Sequence, residues 1–288
     1  MTAVSRTSRH PATATMLAVS ALEGWEPEGD DDEVLDLVDR GAPARAIRLR
    51  VLQGVAPDAV RRPRPGALSR RHPYLIRGTR VLENSLGITS ATALGRAEAL
   101  LVVAAGARLL RDPARAPATV SGVHAALFGD VYAWAGLPRI VDLTKQGSAF
   151  VSAAHVPALL APLERPAALV ADALASASGA TTRVTTPATT LATTPATTVA
   201  LALADWYAQV NHVHPYREGN GRAAAVAALL AARAHGVDLD FTRTDREMWV
   251  QAAVASMPSP PRRTVDTTAH RFEFLRVTMG RFAAADGN

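Results

Sequence analysis

Small apolar residues at helical spacing fill long stretches of this chain, and this feature restricts its fold most. Between Ala91 and Leu110 the apolar side chains recur every three or four residues, with Thr89 or Ser90 placed to cap the start of a helix. Alanine, the residue with the highest helix propensity, occupies 59 of 288 positions, and aromatic residues make up only 5%. The sequence predicts a mainly α-helical fold and disfavours an all-β sandwich.

Composition divides the chain into segments. Residues 1–54 are predicted to form a small helical module, 55–72 a proline- and arginine-rich linker, and 73–288 the main domain, in which the low-complexity stretch 173–198 predicts a mobile loop. The helices predicted in the module are 12–22, 33–39 and 43–52. Net charge is +5, but residues 1–40 hold −6, which leaves +11 on the remainder. This imbalance predicts an internal electrostatic contact rather than direct nucleic-acid binding.

Several classes of protein are excluded or disfavoured. The sequence contains no cysteine, which excludes disulfides, thiolate zinc sites and cysteine nucleophiles and favours a reducing compartment. The apolar stretch after Arg6 and Arg9 leads directly into Glu23 without a small-residue cleavage site, so no secretory signal is predicted. Charged residues interrupt every apolar run, so no membrane span is predicted. We expect a cytoplasmic protein.

One short region departs from the helical pattern. Residues 139–144 and 149–151 are rich in strand-forming residues and flank a polar turn with Gly147, which predicts a β-hairpin. It is the only good strand candidate in the sequence. The helices predicted around it are 120–128, 199–213 and 222–234.

The segment 214–222 joins the last two of these helices and reads His-Pro-Tyr-Arg-Glu-Gly-Asn-Gly-Arg. Gly219 and Gly221 expose backbone N–H groups at the start of a helix, where unpaired donors and the helix dipole attract an anion such as phosphate. Asn220 and Arg222 add a neutral and a charged donor beside that position. These residues predict a phosphate-binding turn.

Two further side chains of this segment suit chemistry on a bound phosphate. A histidine such as His214 can act as general base at neutral pH, and Glu218 offers the oxygen ligand that holds Mg²⁺ together with substrate phosphates. The set favours transfer of a phosphorus group to a hydroxyl. The simpler interpretation is a helix–helix turn with capping glycines.

The segment resembles the signature of the Fic/Doc family, with Tyr216 where the family usually has Phe. Residues 127–139 and 78–88 are similar to two further family segments, so the resemblance covers residues 73 to about 260. It implies a helical fold with a β-hairpin flap, and transfer of AMP from ATP to a Ser, Thr or Tyr hydroxyl of a target protein. The implied site roles are His214 as base, Glu218 for Mg²⁺, and Gly219, Asn220, Gly221 and Arg222 for the nucleotide phosphates.

In the family, the flap docks a segment of the target protein by strand pairing. The resemblance assigns target docking here to Arg139 and to Lys145, the single lysine of the chain. Toxins of this family modify topoisomerases, which makes a topoisomerase one candidate partner.

One position departs from the family pattern. The final arginine of the family signature contacts the terminal phosphate of ATP, and Ala225 stands there. Three explanations remain open: Arg217 or Arg233 makes the contact, the donor is a diphosphate or a different nucleotide, or the protein is a weakened enzyme. The loss would also permit a degenerate Fic domain that binds a nucleotide or a protein partner without turnover.

Residues 22–27 resemble the small antitoxins that inhibit one class of Fic toxins. Glu23 matches the inhibitory glutamate, but Val19 stands where those proteins have Ser or Thr. The resemblance implies that residues 1–54 cover the main domain and inhibit it. Because a buried carboxylate without a cation is costly, we expect Glu23 to be partly exposed or paired with Arg222. Residues 79–84 also fit the inhibitory pattern.

Overall fold

The computed structural model describes residues 9–60, 72–145, 148–180, 194–259 and 264–281. Over these residues the chain is mainly helical, as predicted. Its α-helices and strands, in chain order, are α1 (Pro11–Leu22), α2 (Asp32–Asp39), α3 (Ala44–Gln53), α4 (Ala91–Arg111), α5 (Val120–Phe128), β1 (Thr144–Lys145), β2 (Ser148–Ala149), α6 (Val156–Leu160), α7 (Pro166–Ala180), α8 (Pro195–Val213), α9 (Asn220–Ala234), β3 (Val237–Leu239), α10 (Arg246–Ser256), α11 (Thr268–Val277) and β4 (Thr278–Arg281).

The helix boundaries follow from local sequence. Helix α5 has the predicted bounds, and Ser90 caps α4 by accepting a hydrogen bond from the Ala93 N–H at 3.4 Å. Within the described ranges, every helix is too short or too polar to cross a bilayer.

The chain forms two compact units. Unit 1 comprises residues up to Ala116 together with His124–Leu137. In it, α1, α2 and α3 all pack against α4. Gly106 of α4 permits a close approach, because a Cβ added there would lie 2.3 Å from the sulfur of Met16 on α1. Ion pairs within this unit neutralise part of the acidic charge of the N-terminal segment.

The ion pair between Asp31 and Arg96 is the best buried of these contacts. The two groups lie 2.7 Å apart, and the Asp31 side chain is 1% exposed. A second pair joins Arg50 Nε to Glu33 at 2.8 Å, at a more exposed position. A buried pair such as that of Asp31 adds little net stability, because desolvation offsets the attraction.

Unit 2 comprises residues 117–123 and the chain from Pro138 onward. Its central helix is α8, which packs against α7, α9, α10 and α11. The sequence predicted one pair of strands, but the structure adds an antiparallel pair, β3 with β4, in which Leu239 lies opposite Thr278. This pair was missed because β3 has only three residues and its partner lies far along the chain.

The low-complexity stretch 173–198 is more helical than predicted. Helix α7 continues to Ala180, and α8 begins at Pro195. Proline suits the first turn of a helix, and the Thr194 hydroxyl caps it by accepting the Thr197 N–H at 3.2 Å. Residues 181–193 lie outside the described part of the chain.

Candidate active site

The predicted phosphate-binding turn connects the end of α8 to the start of α9. His214 follows α8 in the left-handed conformation, with φ 47° and ψ 62°, and is the only non-glycine residue with positive φ among those described. Its N–H donates to the Val210 carbonyl at 2.8 Å. Gly219, with φ 78°, precedes α9. The tight turn between α8 and α9 therefore has a residue in the left-handed conformation at each end.

Asn220 braces this loop from within. Its Oδ1 accepts the Tyr216 N–H and its Nδ2 donates to the Tyr216 carbonyl, both at 2.8 Å. The residue is 6% exposed. The structure thus gives the Asn220 carboxamide an internal role in closing the loop, whereas its predicted contact with nucleotide phosphate stays a prediction.

Tyr216 anchors the loop in the interior of unit 2. It is fully buried, and its hydroxyl lies 3.0 Å from the Ser121 hydroxyl, which in turn donates to the Glu164 carboxylate. Burial raises the pKa of Tyr216 well above its ordinary value. A tyrosine that stays protonated and hydrogen-bonded can serve as a core anchor at the position where the family usually has phenylalanine.

Glu218 and Arg222 face each other across the first turn of α9. Arg222 Nη2 lies 3.5 Å from Glu218 Oε1, which also accepts the Gly219 N–H at 3.0 Å. The Glu218 side chain is 42% exposed, whereas that of Arg222 is 11% exposed. A negative group and a positive group are therefore held side by side at the helix start.

The donor set around Glu218 fits a magnesium ion that takes most of its ligands from a substrate. Within the described ranges, no cluster of three or more acidic or histidine side chains could hold a metal alone. One accessible carboxylate beside a phosphate site is a common way for proteins to hold Mg²⁺, because this ion keeps water and phosphate oxygens in its shell.

The start of α9 offers backbone donors for an anion. The N–H groups of Asn220 and Gly221 belong to the first helical turn, which has no intrahelical acceptors for them, and Gly219 supplies no capping side chain. Gly221 adds no Cβ that would obstruct a ligand. This geometry suits a phosphate, whose charge the helix dipole also favours.

The predicted hairpin is present but short. Thr144 pairs with Ala149 and Lys145 with Ser148 in antiparallel register. Just beyond it, the Phe150 ring stacks on the His214 ring, with centroids 3.8 Å apart and planes 15° apart. The Val151 N–H donates to the His212 carbonyl at 3.4 Å. Sequence reasoning missed Phe150, because no motif marks an aromatic residue at that position.

The predicted docking residue Arg139 is buried, and its docking role stays a prediction. The residue is 1% exposed, and its guanidinium donates to backbone carbonyls on both sides of the site. It turns inward because the carbonyls at the end of α8 need donors that the helix cannot supply. Lys145 is the last residue of β1, and its docking role stays a prediction.

The structure bears on the missing final arginine. Ala225 lies within α9 and is 2% exposed. Arg233 lies near the opposite end of α9 and donates to Asp238 at 2.9 Å, so it is engaged away from the loop. Arg217 lies within the loop, and its buried Nε has no hydrogen-bond partner in the described structure. Of the two arginines considered, Arg217 is the better placed.

The residues of the antitoxin-like segment lie in unit 1. Glu23 follows the last residue of α1 and is exposed, as expected of a carboxylate without a buried cation. Val19 is 1% exposed and belongs to the core. The inhibitory role of Glu23 stays a prediction.

Comparison with known proteins assigns a family to part of the chain. Residues 116–232 match the model of the Fic/DOC family, so the chain contains a Fic/DOC-family domain. Protein adenylyltransferase VbhT of Bartonella schoenbuchensis is 29% identical over 64% of this chain, which spans 35% of that protein. Probable protein adenylyltransferase y4lH of Sinorhizobium fredii is 28% identical over 64% of this chain and 87% of that protein.

Solved structures share the fold. The BepC protein of Bartonella tribocorum, with bound AMPPNP, is 20% identical with a TM-score of 0.54, covering 72% of this chain and 96% of that one. The N-terminal Fic domain of a Bep effector from Bartonella quintana, with bound ADP, is 18% identical with a TM-score of 0.56, covering 72% and 95%. At these identities the likeness establishes the helical Fic fold.

Proposed function

We propose that this protein is a Fic-type protein adenylyltransferase, which transfers AMP from ATP to a Ser, Thr or Tyr hydroxyl of a target protein. The observation that carries the proposal is the arrangement at the α8–α9 junction. It combines the His214 imidazole, the Glu218–Arg222 pair and the open first turn of α9 in one loop. The adenylyltransferase names of the relatives and the nucleotides in the structural neighbours support the choice of reaction.

The reaction needs a base and phosphate binding, and no covalent intermediate on the enzyme. The target hydroxyl oxygen forms a bond to the α-phosphorus of ATP, the bond to the β-phosphate oxygen breaks, and pyrophosphate leaves with the electron pair. His214 takes the hydroxyl proton. Arg222 and the N–H groups at Gly221 and Asn220 bind phosphate oxygens. Magnesium held by Glu218 would neutralise phosphate charge when bound.

The partner that this function requires is a protein that presents a hydroxyl beside the hairpin. The resemblance to the toxin class makes a topoisomerase a reasonable first target. Lys145 would contact the target from the end of β1. The hairpin pairs only two residues of each strand, and its strand edges are available for pairing with an extended target segment.

A second candidate function is nucleotide binding without turnover. The specific observation in its favour is Ala225, a buried methyl group where a guanidinium would bind the terminal phosphate. Ala225→Arg should then tighten ATP binding by roughly 10- to 100-fold, the strength of a charge-assisted hydrogen bond. A transferase that uses Arg217 instead should lose ATP affinity in Arg217→Gln.

We also propose that the antitoxin-like segment restrains the enzyme through Glu23. The support is its resemblance to the inhibitory motif and its exposure at the end of α1. Glu23→Gln should raise the rate of transfer in the full chain, whereas Glu26→Gln, a change at another exposed glutamate of the same segment, should not. Equal rates in all three proteins would contradict an inhibitory role.

The proposed function is tested by label transfer with the full-length protein. Incubation with a bacterial lysate, Mg²⁺ and ATP labelled at the α-phosphate should label a protein, whereas ATP labelled at the γ-phosphate should not. Parallel reactions with α-labelled GTP, CTP and UTP identify the donor. Bound nucleotide without any labelled protein would favour the binding module, and label from the γ-phosphate would indicate a kinase instead.

A further inference from the structure

We propose that Arg139 is a positioning residue that ties the hairpin to the catalytic base, so that the position of His214 depends on the hairpin. The kinetic consequence of this proposal rests on the proposed function. The link between Arg139 and the position of the His214 ring can be tested without any measurement of activity. Arg139 lies outside the 214–222 segment, 75 residues before His214, and the resemblance to the family assigned it target docking rather than a contact with the base.

One guanidinium joins three backbone segments. Its Nε donates to the His214 carbonyl at 2.8 Å, and its Nη2 donates to the Val213 carbonyl at 3.2 Å. Its Nη1 donates to the Val141 carbonyl at 2.7 Å, and Nη2 also donates to the Val151 carbonyl. The four acceptors are the end of α8 and the two stems of the hairpin.

The backbone of Arg139 adds a fifth contact. Its N–H donates to the Pro215 carbonyl at 2.8 Å. The carbonyls of Val213, His214 and Pro215 are therefore all held by one residue at the point where the chain enters the left-handed conformation. A cation is the favourable donor here, since helix C-termini carry partial negative charge.

The contacts account for the placement of the His214 ring. Val151 follows Phe150 directly, and Arg139 holds the Val151 carbonyl while it holds the carbonyl of His214. Arg139 therefore holds the backbone of both partners in the Phe150–His214 stack, in which the ring centroids are 3.8 Å apart. If the hairpin shifts, Arg139 transmits the shift to the base, and a target segment bound to the hairpin acts on the group that must deprotonate its hydroxyl.

The kinetic test compares Arg139→Lys with Arg233→Lys. Lysine keeps the charge but cannot form the forked set of bonds. We expect kcat for protein labelling to fall on the order of 100-fold in Arg139→Lys, the cost of a small misplacement of a catalytic group, while nucleotide affinity is unchanged. Arg233→Lys alters an arginine whose side chain is 12% exposed and pairs with Asp238, and should leave kcat unchanged.

A spectroscopic test remains valid if no transfer is ever observed. The stacked Phe150 ring should shift the carbon-bound protons of the His214 imidazole upfield in NMR spectra, with the signals assigned by their absence in His214→Asn. Arg139→Lys should move them toward the values of an unstacked histidine, and Arg233→Lys should not. Unmoved His214 signals in a folded Arg139→Lys protein, or a kcat loss that only follows the folded fraction and matches Arg233→Lys, would overturn the proposal.

Discussion

Helix α8 contacts two regions that are built in different ways. At its C-terminal end, the 214–222 segment is held by directional hydrogen bonds, such as the paired contacts of Asn220 with Tyr216. Along its middle, Tyr207 lies in an aromatic cluster, and the centroid of its ring is 5.1 Å from those of Trp249 and His270 and 5.6 Å from that of Phe274. The first region is polar and contiguous in sequence, and the second is apolar and drawn from three helices.

The two histidines of these regions show what the difference means. The backbone of His214 is clamped and its ring stacks on Phe150, so its position is specified. His270 is fully buried, and neither ring nitrogen has a hydrogen-bond partner among the described residues. The polar atoms of the 214–222 segment hold a side chain in the position that chemistry needs. The buried His270 ring, without hydrogen bonds, lowers stability instead.

The largest effect should come from His214→Asn. Asparagine tolerates the left-handed conformation, so this change removes the base while keeping the backbone, whereas alanine would add strain. We expect the rate of protein labelling to fall on the order of 10³-fold. The free energy of unfolding in urea should change little. If labelling persists, His214 is not the base, and the loop region differs from the cluster in structure alone.

The second-largest effect should come from Asn220→Ala, which distinguishes a structural role of the carboxamide within the loop from a role in catalysis. In Asn220→Ala, the buried N–H and carbonyl of Tyr216 lose their partners, which should lower the free energy of unfolding by roughly 2–3 kcal/mol. Asn211→Ala is the matched control, because Asn211 donates from α8 to the Ala253 carbonyl at 3.0 Å, outside the loop.

Activity and stability should respond differently in this pair. Asn220→Ala should lose both stability and labelling activity, since the reversal between His214 and α9 loosens. Asn211→Ala should lose about 1 kcal/mol and keep its activity per folded molecule. Activity lost in Asn220→Ala without any loss of stability would show that the carboxamide contacts the nucleotide directly instead.

The third prediction uses the pH dependence of the cluster. Burial lowers the pKa of His270 to about 4, below the ordinary value of 6.5. The unfolded chain therefore binds this proton more readily than the folded one as pH falls below 6.5. The stability present at neutral pH should decline by about 2 kcal/mol between pH 7 and pH 5 from this residue.

His270→Phe should remove that contribution. Urea unfolding measured at pH 8, 7, 6 and 5 should give a steeper decline for the wild type than for the variant, and the comparison at pH 8 isolates the effect of packing. The same slope in both proteins would mean that His270 gains a proton acceptor or water in the cluster, which would make the two regions more alike.

The features that could be predicted from the sequence have determinants that are contiguous in the chain. The 214–222 segment, the bounds of α5 and the hairpin are encoded by residues close in sequence, so spacing and turn chemistry could identify them. The inward turn of Arg139, the Phe150–His214 stack and the β3–β4 pair depend on residues brought together by tertiary packing. No local pattern encodes whether an arginine at the base of a hairpin faces solvent or the carbonyls of a distant helix.

The smallest effect should come from Tyr216→Phe, which restores the residue usual for the family. The change removes a hydroxyl 3.0 Å from that of Ser121, and Ser121 keeps its bond to Glu164. We expect a loss of about 1 kcal/mol or less in urea unfolding, and unchanged kcat. A tenfold fall in kcat at unchanged stability would place the hydroxyl in the chemistry, and would show that hydrogen bonds which brace the loop from inside also tune its reacting groups.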